Sequence, residues 1–477
     1  MNRRLGWDKI IFTHVVVIGV PAILYYYLRV GGASLFWLHV LVATAYLITA
    51  LMICYEATAA LSRRYAGSAG PPIGAPERWK RKFKDALGVS GAHVPEPTRP
   101  LPRCTFIVAA YLPNEQEIII ETLTEILDNV RRPEAGFEII LAYNRPLRLP
   151  VEDELEQLEA RHEALRLLHV ETSESKAENI NAAISIATGE IIGILDADHH
   201  PQPDCFERAW RWFERGYDVV QGRNVVRNSE ANFLTKMIAI EFECTYGVCH
   251  AARSLFVDTG IFGGSNGYWK ADVLRETRFD PTMLTEDIDA TSRALLSGHR
   301  ILNDRSIIST ELAPEDLPSF WYQRQRWAQG WLEVSIKYQI GFWKSRHMSL
   351  FQKVYWTYLL LYREVYPILA LQIYPILLSL LLIQGYIELT SHWYLWVTAI
   401  VTFVSGPYQT AIAGKNAYSR HHPLRWVAYA LLVFFFTLFK AMISLVAMYD
   451  HMLGRADWVV TRRSTIEKSR KVEARTR

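Results

Sequence analysis

The stretch Gly189-Glu-Ile-Ile-Gly-Ile-Leu-Asp196-Ala-Asp198-His-His-Pro-Gln-Pro-Asp204 decides how the chain folds. Its apolar run, from Ile191 to Leu195, predicts a short strand buried on both faces, and the run ends at two carboxylates. In open α/β sheets, ligands bind beyond the carboxyl ends of the strands. Residues i and i+2 of an extended segment share a face, so Asp196 and Asp198 can both reach one hard cation such as Mg²⁺ or Mn²⁺. The alternative is a turn with two solvated aspartates, and motifs further along the chain decide between them.

Composition excludes several classes of protein. The chain has 477 residues, enough for two or three domains; 50% are hydrophobic and 21% charged, so the apolar residues must be segregated. A net charge of +3 is too small for a nucleic-acid binder, and the basic residues gather beside apolar segments, which favours a membrane as partner. Five cysteines without paired spacing predict neither disulfides nor a zinc site, as is typical of a reducing compartment.

Two apolar stretches near the N-terminus predict a transmembrane hairpin. Ile10–Leu28 and Phe36–Tyr55 are each long enough to cross the hydrocarbon core of a bilayer. A cleaved signal peptide is the alternative, but a second span follows at once and no small-residue cleavage site follows the first. Both outer flanks are expected to be cytoplasmic because of their basic residues, which are Arg3, Arg4, Lys9, Arg63, Arg64, Arg78, Lys80, Arg81, Lys82 and Lys84.

A Pro- and Gly-containing linker then leads into alternating strand and helix patterns. This alternation predicts a mostly parallel sheet covered on both faces, spanning about Arg99 to Asn303. The predicted strands are Thr105–Ala110, Glu138–Tyr143, Leu165–Val170, Glu190–Leu195 and Tyr217–Val220. The predicted helices are Gln116–Val130, Glu152–His162, Ala177–Ala187 and Asp204–Glu214.

The C-terminal third returns to the membrane. Trp-rich and basic sequence over 317–362 predicts interfacial helices, and Val365–Gln384 and Tyr394–Ala413 predict two spans joined by an outward loop, Gly385–His392. The last apolar run, Trp426–Met448, is either a further span or a helix in the cytoplasmic leaflet. The basic tail after it and Lys440 within it favour the second interpretation.

Three further clusters follow the aspartate pair. Phe262-Gly-Gly-Ser-Asn-Gly-Tyr-Trp269 is a glycine-rich turn, where missing Cβ atoms allow a ligand to approach the backbone. Thr285-Glu286-Asp287 opens a helical pattern over Ile288–Leu296, with Thr285 as the expected N-cap. Gln323-Arg-Gln-Arg326-Trp327 places Gln323, Arg326 and Trp327 on one helical face. Taken singly, a structural loop, ordinary helix capping and a solvated basic face are the plainer explanations.

In this order and spacing, the four clusters resemble the signature of the membrane-integrated family-2 glycosyltransferases, which include cellulose, hyaluronan, chitin and mannan synthases. The resemblance covers nearly the whole chain, since it also includes Lys176-Ala-Glu-Asn179-Ile-Asn181-Ala-Ala, the flanking spans and Trp458-Val-Val-Thr461. It implies an α/β nucleotide-sugar domain of the GT-A type combined with an α-helical transmembrane region. The implied segments are a transmembrane hairpin (1–66), a cytoplasmic linker (67–102), the GT-A domain (103–316), interfacial helices (317–362), transmembrane spans (363–413) and a membrane-associated helix with a basic tail (414–477).

The resemblance implies transfer of a sugar from a nucleotide diphosphate sugar to an acceptor hydroxyl, with inversion at the anomeric carbon. Asp198, helped by Asp196, would hold Mg²⁺ or Mn²⁺ against the departing diphosphate. Asp287, in the acidic pair with Glu286, would be the general base. The residues expected to bind the donor are Lys176, Asn179, Asp196, Tyr111, Glu115 and Arg326, and those expected at the acceptor are Gln323, Trp327, Gly264, Ser265 and Asn266.

The sequence departs from the family pattern where the nucleotide base would bind. The first strand continues as Ala110-Tyr111-Leu-Pro113-Asn114-Glu115, two residues longer than is common, and the second ends at Tyr143-Asn144 without the usual aspartate. The choice between uridine and guanosine therefore stays open, although a UDP-sugar such as UDP-glucose is expected.

The expected product is a β-linked polysaccharide extended at the cytoplasmic face of the plasma membrane and exported across it. The alternatives are a synthase that makes a short glycolipid and, from another class, a membrane protein that only binds nucleotide sugars. The expected partners are the donor, a polysaccharide or glycolipid acceptor and the bilayer, with no nucleic acid. The resemblance is also compatible with a homo-oligomer or an export partner.

Overall fold

A computed structural model describes residues 6–61, 97–385 and 392–455. Several sequence predictions concern residues outside these ranges. They include most of the linker, the loop between the two predicted C-terminal spans, the tail motif Trp458–Thr461, and most of the basic residues that orient the hairpin.

Eight strands form one sheet, in the order β3-β2-β1-β4-β7-β6-β8-β5. The strands are β1 Cys104–Tyr111, β2 Phe137–Asn144, β3 Leu165–His169, β4 Ile191–Asp196, β5 His200–Pro201, β6 Val219–Val226, β7 Gly267–Lys270 and β8 Ile301–Glu311. Neighbours β1–β2, β1–β4, β2–β3 and β6–β8 are parallel, whereas the pairs that involve β7 or β5 are antiparallel. The predicted α/β fold with a mostly parallel sheet is confirmed.

The sequence patterns found five of these strands and missed β5, β7 and β8. β7 has four residues and begins in the glycine-rich turn, so its apolar run is too short to stand out. β8 carries Asn303, Asp304, Arg305 and Ser306 in its first half, which breaks any alternation. The sheet therefore extends to Glu311, beyond the predicted end at Asn303.

Helices cover both faces of the sheet, and two separate apolar cores result. The helices of this part are α4 Leu112–Glu115, α5 Ile119–Asn129, α6 Val151–Arg161, α7 Lys176–Ile186, α8 Cys205–Phe213, α9 Phe233–Cys244, α10 Ala251–Phe256, α11 Ala271–Thr277, α12 Glu286–Leu296, α13 Leu317–Lys344 and α14 Leu350–Thr357. One core packs α5, α6 and α8 against one face, and the other packs α7, α11, α12, α13 and α14 against the opposite face. A π-helical turn, Thr245–His250, joins α9 to α10.

The membrane part consists of helices before and after this domain. They are α1 Trp7–His14, α2 Val20–Val30, α3 Phe36–Ala60, α15 Arg363–Leu371, α16 Ile373–Gln384, α17 Trp393–Lys415 and α18 Pro423–Met452. Among the described residues, four segments are long and apolar enough to cross a membrane: Trp7–Val30, Phe36–Ala60, Leu350–Gln384 and Pro423–Met452. The predicted span Tyr394–Ala413 lies in α17, which has the length but carries more polar residues and is not among the four.

The position of α18 is defined by contacts at both ends and in the middle. Near its start, Arg425 forms an ion pair of 2.5 Å with Glu230 of the sheet-bearing domain. Near its end, Asp450 accepts a hydrogen bond from Gln325 of α13, and in between, Lys440 pairs with Glu241 of α9. A helix of 30 residues is about 45 Å long. The helix thus stays in contact with the domain along its length.

Candidate active site

Asp196 and Asp198, the two carboxylates of the opening motif, lie at the carboxyl end of β4, near the carboxyl end of its parallel neighbour β1. Asp196 is opposite Ala109 of β1. Asp198 is fully buried, and its Oδ2 accepts a hydrogen bond of 3.0 Å from the backbone N–H of Leu312. One ligand atom each from Asp196, Asp198 and His199 lie within 4.8 Å of one another. Carboxylate oxygens suit Mg²⁺ and Mn²⁺, so the donor set fits the cation that the sequence predicts.

His199 and Glu311 extend this cluster and were not singled out from the sequence. The Nε2 atom of His199 lies 3.0 Å from Glu311 Oε2, and Nδ1 lies 3.0 Å from Ser309 Oγ. Both partners belong to β8, the strand that the sequence pattern missed. The imidazole therefore connects the loop after β4 to strand β8. Its position directly after Asp198 was the available signal.

Lys176 joins the aspartate pair to the acidic tripeptide. It begins α7, whose first turn is fixed by a capping box between Ser175 and Glu178. Its Nζ lies 2.5 Å from Asp196 Oδ1 and 4.0 Å from Glu286 Oε1, and it donates a hydrogen bond of 2.8 Å to the carbonyl of Gly264. Burial alone would lower the pKa of Lys176, but these carboxylates outweigh it and hold the pKa above its ordinary value.

Asp287 lies in the first turn of α12, close to the same lysine. Burial, followed by repulsion from Glu286, raises the pKa of Asp287 to about 7, although Lys176 partly opposes the shift. Gly264 has a φ of +83°, and a Cβ there would lie 2.9 Å from Asp287 Oδ2. The glycine thus permits the backbone of the turn to approach the carboxylate.

Thr285 stands at the N-cap position of α12, as expected, but its side chain makes no capping hydrogen bond. The reason is the close approach of α13. A Cβ added at Gly330 would come within 2.5 Å of Thr285 Oγ1, so the glycine lets the two helices meet at this point. The threonine therefore belongs to the contact between α12 and α13.

The glycine-rich turn divides into residues that face the cluster and one that does not. Ser265 is buried, and its Oγ accepts a hydrogen bond of 2.9 Å from the backbone N–H of Asp196. Asn266 is fully buried with a φ of 52°, and its side-chain amide donates to the carbonyls of Arg223 and Ile307. Its amide thus joins β6 and β8, and a role of Asn266 at the acceptor stays a prediction.

The residues expected at the donor side lie at the ends of β1 and β2. Asn179 is buried and donates hydrogen bonds to Ala110 O and to Asn144 Oδ1. Asn144 stands at the end of β2, where the family commonly has an aspartate, and donates to Ser173 O. Tyr111 is half-buried at the end of β1, and Glu115 is buried in α4. A neutral amide pair thus occupies the position of the expected carboxylate.

Helix α13 brings the basic and aromatic motif to the same cluster. Arg326 donates a hydrogen bond of 3.3 Å to the carbonyl of Leu284, just before the acidic tripeptide. Its positive charge partly opposes the rise in the pKa of Asp287. Gln323 and Trp327 are half-buried on the same helix. The guanidinium of Arg324 covers one face of Trp327 at 4.4 Å from the ring centroid.

Tyr246 is a third residue that the sequence did not reveal. It lies in the π-helical turn after α9, a distortion often found at functional sites. Its hydroxyl would be 3.4 Å from a Cβ at Gly263, and burial, with the charges of Glu311 and Asp287, raises its pKa. The phenol therefore lies close to the cluster. No motif marks it in the sequence.

Two family models match the chain in overlapping ranges. The model described as glycosyl transferase family 2 matches residues 105–276, and that described as glycosyl transferase family group 2 matches residues 191–406. The first range contains the lysine and aspartate motifs, and the second contains the acidic tripeptide and the α13 motif.

Among curated relatives, poly-beta-1,6-N-acetyl-D-glucosamine synthase of Staphylococcus epidermidis is 27% identical over 287 residues, which are 59% of this chain and 65% of that protein. The match thus spans less than two thirds of that relative's length. A probable glycosyltransferase of Bacillus subtilis, YdaM, is 23% identical over 78% of this chain and 90% of its own. A solved mannosyltransferase from Pyrobaculum calidifontis, in complex with GDP-Man and Mn²⁺, has a TM-score of 0.51 at 20% identity and covers 88% of this chain and 99% of its own. This last likeness concerns the fold.

Proposed function

Because the chain belongs to glycosyl transferase family 2, we propose that it transfers a sugar, with inversion, from a nucleotide diphosphate sugar to the end of a growing β-linked polysaccharide. The observation that carries this proposal is the meeting of three groups at the ends of the strands. These are the possible metal ligands Asp196, Asp198 and His199, the cation Lys176, and the half-buried carboxyl of Asp287, whose pKa is raised.

Asp287 is the general base of the proposed reaction. With a pKa of about 7, it is partly ionised at neutral pH and is basic enough to accept a proton from a hydroxyl as the new bond forms. The acceptor oxygen bonds to the anomeric carbon while the bond from that carbon to the diphosphate oxygen breaks, and the proton remains on Asp287. Attack on the face opposite the leaving group inverts the configuration.

The diphosphate would be held by positive charge. Asp196 and Asp198 would hold a divalent cation, which would neutralise charge on the leaving group. Lys176 and Arg326 add two side-chain cations near Asp287, and a guanidinium can bind two phosphate oxygens at once. The acceptor sugar would contact the half-buried ring of Trp327.

The nature of the product is supported by the relatives more than by the site. A relative of 27% identity is named as a synthase of a β-1,6-linked polymer, and another, a probable glucomannan 4-beta-mannosyltransferase of Arabidopsis thaliana, matches over 221 residues at 23% identity. We extend this to the present chain as a polymer product with a UDP-sugar donor.

We further propose that the catalytic domain is cytoplasmic, at the plasma membrane, and that α18 lies along the cytoplasmic leaflet. The contacts of Arg425, Lys440 and Asp450 with residues of the domain and of α13 support this placement of α18. A C-terminal reporter found outside the cell would contradict it.

The test is to incubate membranes that contain the protein with radiolabelled UDP-glucose, UDP-N-acetylglucosamine or GDP-mannose, and to size the product. We expect one donor to give a polymer that a glycosidase for β-linkages degrades. Membranes with Asp287→Asn serve as the control for unrelated host enzymes. A product extracted entirely into organic solvent as a short glycolipid would support the alternative acceptor, and no incorporation from any donor would contradict the proposal.

A further inference from the structure

The motif Gln323-x-x-Arg326-Trp327 contains two intervening positions, Arg324 and Gln325, to which the site gives no chemical role. Both side chains are nevertheless partly buried and make specific polar contacts. Each contact leads to the same helix, α18, which from composition alone could be taken for an ordinary membrane span.

Arg324 reaches α18 through a buried carboxylate. Its Nη2 donates a hydrogen bond of 2.6 Å to Glu241 Oε2, and Lys440 of α18 donates one of 2.7 Å to Glu241 Oε1. Glu241 is 6% exposed, and both cations hold its pKa below its ordinary value although burial alone would raise it. The guanidinium of Arg324 also stacks on Trp327. Lys440 is therefore linked to the indole through Glu241 and then Arg324.

Gln325 reaches α18 directly. Its Nε2 donates a hydrogen bond of 2.5 Å to Asp450 Oδ2, while its Oε1 accepts one of 2.9 Å from the indole N–H of Trp321. Asp450 is 3% exposed and is also bonded by Lys9 of α1 at 2.8 Å. The amide is thus held on both sides, and its orientation follows from the positions of α18 and α1.

These two contacts fix α13 in both translation and rotation. Lys440 and Asp450 are ten residues apart on α18, which is about 15 Å along the helix axis. Directly before Lys440, Phe439 packs against Phe320 and Trp321 of α13 at ring distances of 6.4 and 5.7 Å. Moving α13 along or around α18 would break at least one of these contacts.

We propose that α18 positions the acceptor side of the active site, and that Lys440 and Asp450 are positioning residues that set the Trp327 ring through Arg324 and Gln325. This inference rests on the proposed glycosyltransferase function. Lys440 and Asp450, two charged residues of this apolar helix, are thereby explained by their partners on α9, α13 and α1. The acceptor-binding indole is correctly placed only when α18 is docked, so the membrane part and the catalytic domain act as one unit.

The first experiment measures the coupling of donor use to sugar transfer. We expect Lys440→Met to increase about tenfold the fraction of donor that ends as free sugar. If the Trp327 ring moves, the acceptor is no longer held in place and water reacts with the donor instead. Small displacements in an active site have effects of this order or larger. Lys440→Arg keeps the charge and should restore coupling. Asp450→Asn, which keeps the shape but weakens the bonds from Lys9 and Gln325, should act in the same direction. The affinity for UDP should change less than twofold in all variants.

The matched controls are Lys415→Met at the end of α17 and Asp8→Asn in α1, which remove the same charges at exposed positions. Both should leave coupling unchanged. An equal loss of UDP affinity and transfer in Lys440→Met, without free sugar, would overturn the proposal in favour of general destabilisation. Unchanged coupling in both Lys440→Met and Asp450→Asn would also overturn it.

The second experiment does not need activity. Hydrogen exchange of purified protein in detergent should become faster over residues 317–330 in Lys440→Met, but not in Lys415→Met, with little change in β1 to β4. If the wild-type protein used no sugar donor, the proposed function would fail, while this measurement would still decide whether α18 holds α13. Equal exchange in the two variants would contradict the docking role.

Discussion

The raised pKa of Asp287 predicts that the reaction loses rate in acid far sooner than a surface carboxylate would allow. An ordinary aspartate titrates near pH 3.8, whereas the pKa of Asp287 is raised to about 7 by burial and by Glu286. Only the ionised form can accept the proton of the acceptor hydroxyl. Lowering the pH through 7 therefore removes the active form, and raising it above 7 restores it.

The size of the effect follows from this value. If the pKa is 7, kcat/KM should fall about tenfold for each pH unit well below 7 and become level well above it. An unshifted aspartate would give a level profile over the same range. Removing the neighbouring charge with Glu286→Gln should move the acid limb to lower pH, because Glu286 is the second cause of the shift.

The assay is release of nucleotide from the donor at constant ionic strength, measured from about pH 5.5 to 8.5, since kcat/KM reports groups of the free enzyme. Asp128→Asn, an exposed carboxylate on α5, is the control and should leave the profile unchanged. Asp287→Asn should lower turnover by about 10²–10⁴-fold and abolish the acid limb. A level wild-type profile between pH 6 and 8, or an acid limb that Glu286→Gln does not move, would refute the argument.

Four other outcomes are expected. Asp198→Asn should abolish activity that depends on Mg²⁺ or Mn²⁺, because an amide is a poor ligand for a hard cation; full activity in excess chelator would contradict the metal site. Gly264→Ala should lower kcat with little loss of folding yield, because a Cβ at φ +83° would meet Asp287 at 2.9 Å; unchanged kcat would exclude this contact. Asp287→Asn should unfold at a higher temperature than wild type at pH 8, and this advantage should shrink as the pH falls through 7 toward 4, because an acid whose native pKa is raised costs stability from its ordinary pKa upward and the cost becomes level only above the raised value; an equal difference at pH 8 and pH 4 would argue against a shifted pKa. In proteoliposomes with the domain outside, labelled polymer should become protected in the lumen, and polymer that stays accessible to glycosidase would exclude export.

The parts of the fold that the sequence predicted are those in which one local pattern decides the structure. Short apolar runs located β1, β2 and β4 because these strands are buried on both faces. The polar half of β8 gave no such pattern, and only its pairing with β6 makes it a strand. His199 directly precedes β5 and comes to Glu311 through the pairing of β5 with β8, so their contact could not be predicted without these strands.

Asn266 shows a structural role that the sequence did not reveal. In the sequence, an asparagine within a glycine-rich turn is a reasonable ligand for a sugar hydroxyl. In the structure its φ of 52° turns the side chain inward, where it bonds the carbonyls of Arg223 and Ile307. Asparagine tolerates this conformation better than most residues. The residue type was therefore selected by the backbone, and composition alone cannot distinguish that reason from a binding role.

The charges at the site explain why a cation and a base of raised pKa belong together. Four carboxylates, those of Asp196, Asp198, Glu286 and Asp287, lie close to two side-chain cations, Lys176 and Arg326. Without a further positive charge this group carries excess negative charge, which favours a proton on Asp287, whose pKa is raised. A divalent cation held by Asp196 and Asp198 would offset that excess, whereas a diphosphate that arrived without the cation would increase it. Donor and cation should therefore bind together, so that the sugar is activated and the acceptor deprotonated in the same complex.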